Sequence, residues 1–88
     1  DDAEVQNALG VTLYNLNDAA GAKAVFEGML ARDPDDYRAR FNLGLLLKYA
    51  FKEPEAAGAA LRAVVDSPRT DPKTRETARK ELEDTAKP

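Results

Sequence analysis

The segment Leu43-Gly44-Leu45-Leu46-Leu47 repeats, 34 residues later, the pattern of Leu9-Gly10-Val11-Thr12-Leu13. Both segments start with a leucine-glycine pair and place another leucine four residues after the first. Two further identities keep the separation of 34 residues: Ala22 with Ala56, and Pro34 with Pro68. A fixed period of this length indicates one supersecondary unit that occurs twice and packs against its copy.

Helical periodicity and helix-breaking residues divide the chain into five predicted helices. These helices cover residues 3–16, 19–32, 37–50, 54–66 and 71–86. Asp18 suits an N-cap, as does Asp35 or Asp36, while Pro54 and Pro72 suit first helical turns. The third helix is apolar on more than one side, so we expect it to be the most buried. The fifth has Leu82 as its only large apolar residue, which is typical of a helix that covers the exposed end of a stack.

These elements predict an all-α protein, a stack of helix-turn-helix repeats that forms a single domain over residues 1–88. The first unit spans residues 3–36, the second spans residues 37–70, and a capping helix follows at 71–86. A glycine inside a helix costs about 1 kcal/mol relative to alanine. Gly10 and Gly44 therefore indicate places where a neighbouring helix comes close, and we expect Ala22 and Ala56 on the other side of that contact.

Composition excludes several classes of function for this chain. The 88 residues contain no cysteine or histidine, so the usual zinc ligands, thiol nucleophiles and imidazole bases are missing. We expect no metal, no cofactor and no enzymatic activity. Thirteen basic against sixteen acidic residues argue against a nucleic-acid partner. The longest apolar stretch is far below the ~20 residues that span a bilayer. We therefore expect a soluble protein without membrane insertion, with the cytoplasm favoured, and the start at Asp1 suggests a domain excised from a longer chain.

The two 34-residue helix-turn-helix units of this chain resemble the tetratricopeptide repeat. Each unit has Leu-Gly in its first helix, a small residue early in its second helix and Pro at its end. This chain departs from the family pattern at several large aromatic positions. Gln6 and Arg40 stand at the family's Trp position, Leu13 and Leu47 at its Tyr position, and Ala60 at its second-helix Phe position. Phe51 replaces the usual glycine between the helices of the second unit, so we expect a slightly irregular second turn.

The resemblance implies a function, which is to bind a peptide or helix of another protein in a concave groove lined by the first helix of each unit. Carried onto this sequence, the candidate partner-binding residues are Asn7, Val11, Tyr14, Arg38, Phe41, Asn42, Leu45, Lys48 and Tyr49. Phe41 and Leu45 would anchor an apolar segment, and Arg38 or Lys48 would set a preference for acidic neighbours. Asn7 and Asn42 would bond the peptide backbone. Arg75 and Arg79 of the terminal helix would close one side.

Two alternatives stand beside this interpretation. Phe41 and Leu45 can pack against the terminal helix and belong to the core. The same apolar face, or the open end of so short a stack, can also bury itself in a second copy, because about three repeats are usually needed for stability.

One version of the family grips the C-terminal carboxylate of a chaperone, and this ligand is not expected here. The residues at the positions of that clamp are Asn7, Val11, Asn42, Pro72 and Glu76. Only Asn42 agrees with the clamp, and Glu76 would repel a carboxylate.

Overall fold

A computed structural model describes residues 2–86 and confirms an all-helical chain of five helices, each starting and ending within about one residue of its sequence-based bounds. Between residues 2 and 86, all regular secondary structure is helical. The helices are α1 (Asp2–Asn15), α2 (Ala19–Arg32), α3 (Tyr37–Tyr49), α4 (Pro54–Asp66) and α5 (Pro72–Ala86). None of these helices is both long enough and apolar enough to cross a membrane.

Three aspartates fix where helices begin. The carboxylates of Asp18, Asp36 and Asp71 each accept a hydrogen bond, 2.8 to 3.2 Å long, from the backbone N–H three residues later. Each cap of this kind typically contributes about 1 kcal/mol. Hydrogen bonds from the side chain and backbone of Thr74 hold the pKa of Asp71 below its usual value. Helix α4 has no side-chain cap and begins at Pro54, whose missing N–H costs nothing there.

Each helix packs on the next one along the chain, and many of the buried side chains in residues 2–86 belong to two clusters. The first cluster joins α2 and α3 and consists of Ala22, Phe26, Met29, Ala39 and Leu46. The second joins α4 and α5 and consists of Leu61, Val64 and Ala78, with Phe41 and Leu45 of α3 packed against it. Helix α3 therefore contributes to both clusters and holds the two helix pairs together.

The two mid-helix glycines lie where a neighbouring helix comes close, as the sequence predicts. A Cβ added to Gly10 would lie 2.6 Å from two ring carbons of Phe26, and one added to Gly44 would lie 3.1 Å from the side chain of Leu61. The expected partners Ala22 and Ala56 are not the nearest atoms. The larger residues Phe26 and Leu61 occupy the space that each glycine leaves.

The second turn differs from the first, and this difference corrects one sequence equivalence. Residues 50–53 connect α3 to α4, one residue more than the connection 16–18 between α1 and α2. Asn17 (φ 67°) and Lys52 (φ 56°) take the left-handed conformation in the two turns, and they are 35 residues apart. The extra residue shifts the buried face of α4, so Ala57 is fully buried and Ala56 is exposed. The identity of Ala22 and Ala56 is thus not a structural equivalence.

Phe51 in the second turn contributes to the core and does not take the left-handed conformation. Its side chain packs against the first cluster, and the Lys23 ammonium lies 4.9 Å from the centre of its ring. The left-handed residue is Lys52 instead, one position later. The expectation of an irregular second turn is met by this shift.

Candidate functional site

An apolar groove lies between α1 and α3, with α2 beneath it. It encloses about 230 Å³. The lining residues are Val11, Tyr14, Phe26, Asn42, Leu45, Leu46 and Tyr49. Five of them belong to the set that the family resemblance implied, namely Val11, Tyr14, Asn42, Leu45 and Tyr49.

The groove has a buried floor and an exposed rim. Phe26 and Leu46, which form the floor, are only 2% and 3% exposed. Val11, Tyr14 and Tyr49 on the rim are 40%, 45% and 49% exposed. When a partner removes such apolar surface from water, the favourable free energy is about 25 cal/mol per Å². The rim can therefore bind an apolar group above a floor that is already buried.

Sequence reasoning missed the floor residues Phe26 and Leu46. Both stand at helical positions that mark them as core, and a core residue that also lines a groove shows no separate signal in the sequence. Only the packing of the helices places them along the groove.

Asn7 and Asn42 bind each other. The side-chain N–H of Asn42 donates to Oδ1 of Asn7 at 2.7 Å, and both side chains are partly buried. This hydrogen bond links α1 to α3 at one end of the groove. Asn42 lines the groove, and an amide group has more donor and acceptor capacity than one bond uses. Asn42 is thus the polar group at which a ligand backbone can bond, while Asn7 orients it.

Lys48 does not face the groove. Its Nζ lies 2.7 Å from Oε1 of Glu81 and 2.7 Å from Oδ2 of Asp84, and it donates to the backbone oxygen of Glu81 at 3.1 Å. The Lys48 side chain is 10% exposed. Tyr49 donates its hydroxyl hydrogen to Oε1 of Glu81 at 2.6 Å. These four residues, which we call the α3–α5 network, tie the end of α3 to α5.

Charge pairing shifts the pKa values within the α3–α5 network. Burial lowers the pKa of Lys48, but hydrogen bonds to Asp84 and Glu81 outweigh burial and raise it well above 10.5. Burial raises the pKa of Glu81, but hydrogen bonds from Lys48 and Tyr49 outweigh it and bring the pKa below 4.5. The hydrogen bond to Glu81 raises the pKa of the Tyr49 hydroxyl. The shifts of Lys48 and Glu81 favour their charged pair at neutral pH.

Two other candidate residues lie away from the groove. Phe41 is partly buried and packs against the second cluster, so the alternative interpretation as core describes it. Leu45 packs against that cluster and also lines the groove, so it belongs to the core and to the candidate site. Arg38 is exposed in the first turn of α3 and does not line the groove.

The arginines of the terminal helix have structural partners. The Arg75 guanidinium donates to three backbone oxygens, those of Val65, Ser67 and Thr70, at 2.9 to 3.2 Å. It thereby closes the turn between α4 and α5. Arg79 pairs with Glu76 on the surface of α5 at 2.6 Å. Neither side chain is among those that line the groove.

The acidic residues of the turn before α3 serve the backbone. Asp33 accepts from the N–H of Asp35 and from the guanidinium of Arg69, while Asp36 caps α3. Within residues 2–86, no group of three or more acidic side chains is arranged to hold a metal ion.

Comparisons with known proteins return no match, whether to a protein-family model, a curated protein or a solved structure. The groove and its residues are therefore the basis for inferring function.

Proposed function

We propose that this chain is a tetratricopeptide-like helical stack whose groove binds an apolar segment of another protein, either an amphipathic helix or an extended peptide. The observation that carries this proposal is the exposed apolar rim of Val11, Tyr14 and Tyr49 above the buried floor of Phe26 and Leu46. Peptide-binding grooves anchor a few apolar side chains in this way.

The size of the groove favours side-chain anchors over a small-molecule ligand. Drug-sized molecules occupy pockets of about 300 to 1,000 Å³. The groove encloses about 230 Å³, which suits the side chains of one or two anchor residues. Its mixed rim of aliphatic and phenolic groups has few polar atoms, so recognition would depend mainly on shape and burial.

The polar chemistry of the groove differs from what the sequence suggested. Lys48 was expected to attract acidic neighbours, but its ammonium is already paired with two carboxylates. Asn42 remains as the groove residue that can bond a peptide group. We therefore infer a partner segment with aliphatic or aromatic anchors and a backbone group near Asn42, without a requirement for acidic residues.

Selection from a displayed peptide library tests this proposal. Peptides selected on the native chain should bind at least about tenfold more weakly to Val11→Glu and Tyr14→Glu, since a charge on the rim leaves the anchor in contact with a carboxylate. Ala24→Glu is the matched control, because Ala24 is exposed on α2 and does not line the groove. NMR shifts on binding should centre on Leu45 and Tyr49.

Two results would contradict the proposal. One is a set of peptides that bind Val11→Glu and Tyr14→Glu as tightly as the native chain. The other is a library from which no selected peptide shifts the NMR resonances of the groove residues. Phe41 is not a suitable probe, because its substitution would disturb the core.

A further inference from the structure

Helix α1 lacks charge over most of its length. The twelve residues from Val5 to Leu16 include no lysine, arginine, aspartate or glutamate, in a chain in which 33% of residues are charged. A helix that is hydrophobic on more than one side is normally covered on more than one side. In residues 2–86, however, α1 packs mainly on α2 and only slightly on α3.

Apolar residues of α1 form a second exposed face, distinct from the groove. Val5, Leu9 and Leu16 are 63%, 43% and 70% exposed. With Thr12 they follow helical spacing, and at 3.6 residues per turn they share an arc of about 60°. Leu16 keeps this register because its N–H still bonds to the oxygen of Thr12 at 3.0 Å. We call these four residues the α1 stripe, and Val11 and Tyr14 lie on the other side of the helix.

The second helix pair shows what such a face does in this fold. The residues of α3 that lie 34 positions after Val5, Leu9 and Thr12 are Ala39, Leu43 and Leu46. Ala39 and Leu46 are 0% and 3% exposed, because this face of α3 packs against the first cluster on α2. The corresponding face of α1 has no helix against it among the residues that the structure describes. The stripe therefore has the position and the composition of a helix-packing surface.

We propose that the α1 stripe is a homodimer interface, in which α1 of one copy packs antiparallel against α1 of a second copy. Each of the other four helices has charged residues on its exposed surface, for example Glu27 on α2 and Arg62 on α4. Burying a charge without a partner is costly, and an uncharged stripe can cover a second copy of itself without that cost. A self-complementary patch of this kind generates a closed two-fold dimer.

Electrostatics select the antiparallel arrangement. Parallel packing would bring together two helix N-termini and two Asp2 carboxylates, and both the dipoles and the charges would repel. Antiparallel packing separates the two Asp2 residues by about the length of the 14-residue helix, roughly 20 Å, which exceeds the Debye length in physiological salt. Val5 then faces Leu16 of the second copy, and Leu9 faces Thr12.

The dimer leaves the groove open, since Val11 and Tyr14 lie on the far side of α1. Two grooves on one particle would raise the avidity for a partner that carries two binding segments. The interface is thus independent of the peptide proposal, and either can fail without the other.

Sedimentation equilibrium over a range of concentrations tests the dimer. The native chain should pass from one to two copies as concentration rises, whereas Leu9→Glu and the more exposed Leu16→Glu should stay monomeric with unchanged helical circular dichroism. Tyr14→Glu and Ala24→Glu, on other exposed surfaces, should dimerise as the native chain does. A native chain that remains monomeric at NMR concentrations would overturn the proposal. A dimer that persists in Leu16→Glu would also overturn the proposal. A dimer that Tyr14→Glu abolishes would place the interface in the groove and would overturn it too.

Disulfide trapping tests the antiparallel geometry, because the chain contains no cysteine of its own. A mixture of Val5→Cys and Leu16→Cys should form a disulfide between the two variants under mild oxidation. Each variant alone should cross-link slowly, since the antiparallel arrangement places its two copies of the cysteine far apart. Fast cross-linking of Val5→Cys with itself would show parallel packing and overturn this arrangement.

Discussion

Glu81 on α5 binds Lys48 on α3 across 33 positions of sequence, with Oε1 2.7 Å from Nζ. The same carboxylate oxygen accepts the Tyr49 hydroxyl hydrogen, so one side chain of α5 holds two consecutive residues of α3. Because Tyr49 is also on the rim of the groove, this contact orients a groove residue while it fastens the terminal helix.

Glu81→Gln should lower the free energy of unfolding by about 1–2 kcal/mol. Lys48 would keep Asp84 but lose its less exposed carboxylate partner, and a hydrogen bond to a charged group contributes in this range. Urea unfolding measures the change. Glu83→Gln is the matched control, since it removes the same charge at an exposed position of α5 and should change stability by less than about 0.5 kcal/mol. Equal losses in the two variants would show that only the charge of α5 matters.

The contribution of the α3–α5 network to the free energy of unfolding should depend on pH, in a direction set by the pKa shifts of its residues. The pKa of Glu81 is lowered from 4.5, so its contribution is present above pH 4.5 and is lost as pH falls through the lower folded-state value. The pKa of Lys48 is raised above 10.5, so its contribution is present below pH 10.5 and is lost only at higher pH. The stability difference between the native chain and Glu81→Gln should be constant between these limits and shrink in acid. Urea titrations at neutral and acid pH check this, and a difference that grows in acid would contradict it.

Alanine substitutions of three glycines should give three different results. Gly10→Ala should destabilise by about 1–3 kcal/mol, because the new Cβ would overlap the buried Phe26 ring. Gly44→Ala should cost less, since its nearest neighbours lie at 3.1 Å and belong to a branched aliphatic side chain.

Gly28→Ala is the control for this series and should stabilise by about 0.5–1 kcal/mol through helix propensity alone, since nothing lies within 4 Å of its Cβ position. Thermal unfolding of the three variants gives the order. A stabilising Gly10→Ala would mean that the Phe26 ring does not lie against Gly10.

Glutamate at two neighbouring alanines tests the one-residue shift of α4. Ala57→Glu should prevent stable folding, because Ala57 is fully buried and the carboxylate would have no partner there. Ala56→Glu should change stability by less than about 0.5 kcal/mol, because Ala56 is exposed. Circular dichroism with thermal unfolding distinguishes the two. If Ala56→Glu destabilised the protein more than Ala57→Glu, Ala22 and Ala56 would be structurally equivalent.

The local features of this protein are determined by its sequence. Asp18, Asp36 and Pro54 mark helix starts because a cap or a missing N–H acts on the next turn of the same helix. Gly10 and Gly44 indicate close approaches because a glycine inside a helix is unfavourable unless space is needed. These effects act over a few residues, so the number, bounds and order of the helices follow from the chain alone.

The tertiary structure alone decides which side chains meet across helices. One extra residue in the second turn, with Lys52 left-handed, rotates α4 by about 100° relative to its expected register, and this buries Ala57 in place of Ala56. From the sequence, Lys48 was expected to be a free cation in the groove, whereas in the structure it pairs with Glu81 and Asp84 of α5. Phe41 and Leu45 are one helical turn apart on α3, yet only Leu45 reaches the groove. Such outcomes depend on helix rotation and on the positions of residues more than 30 places away, and no local pattern in the sequence encodes them.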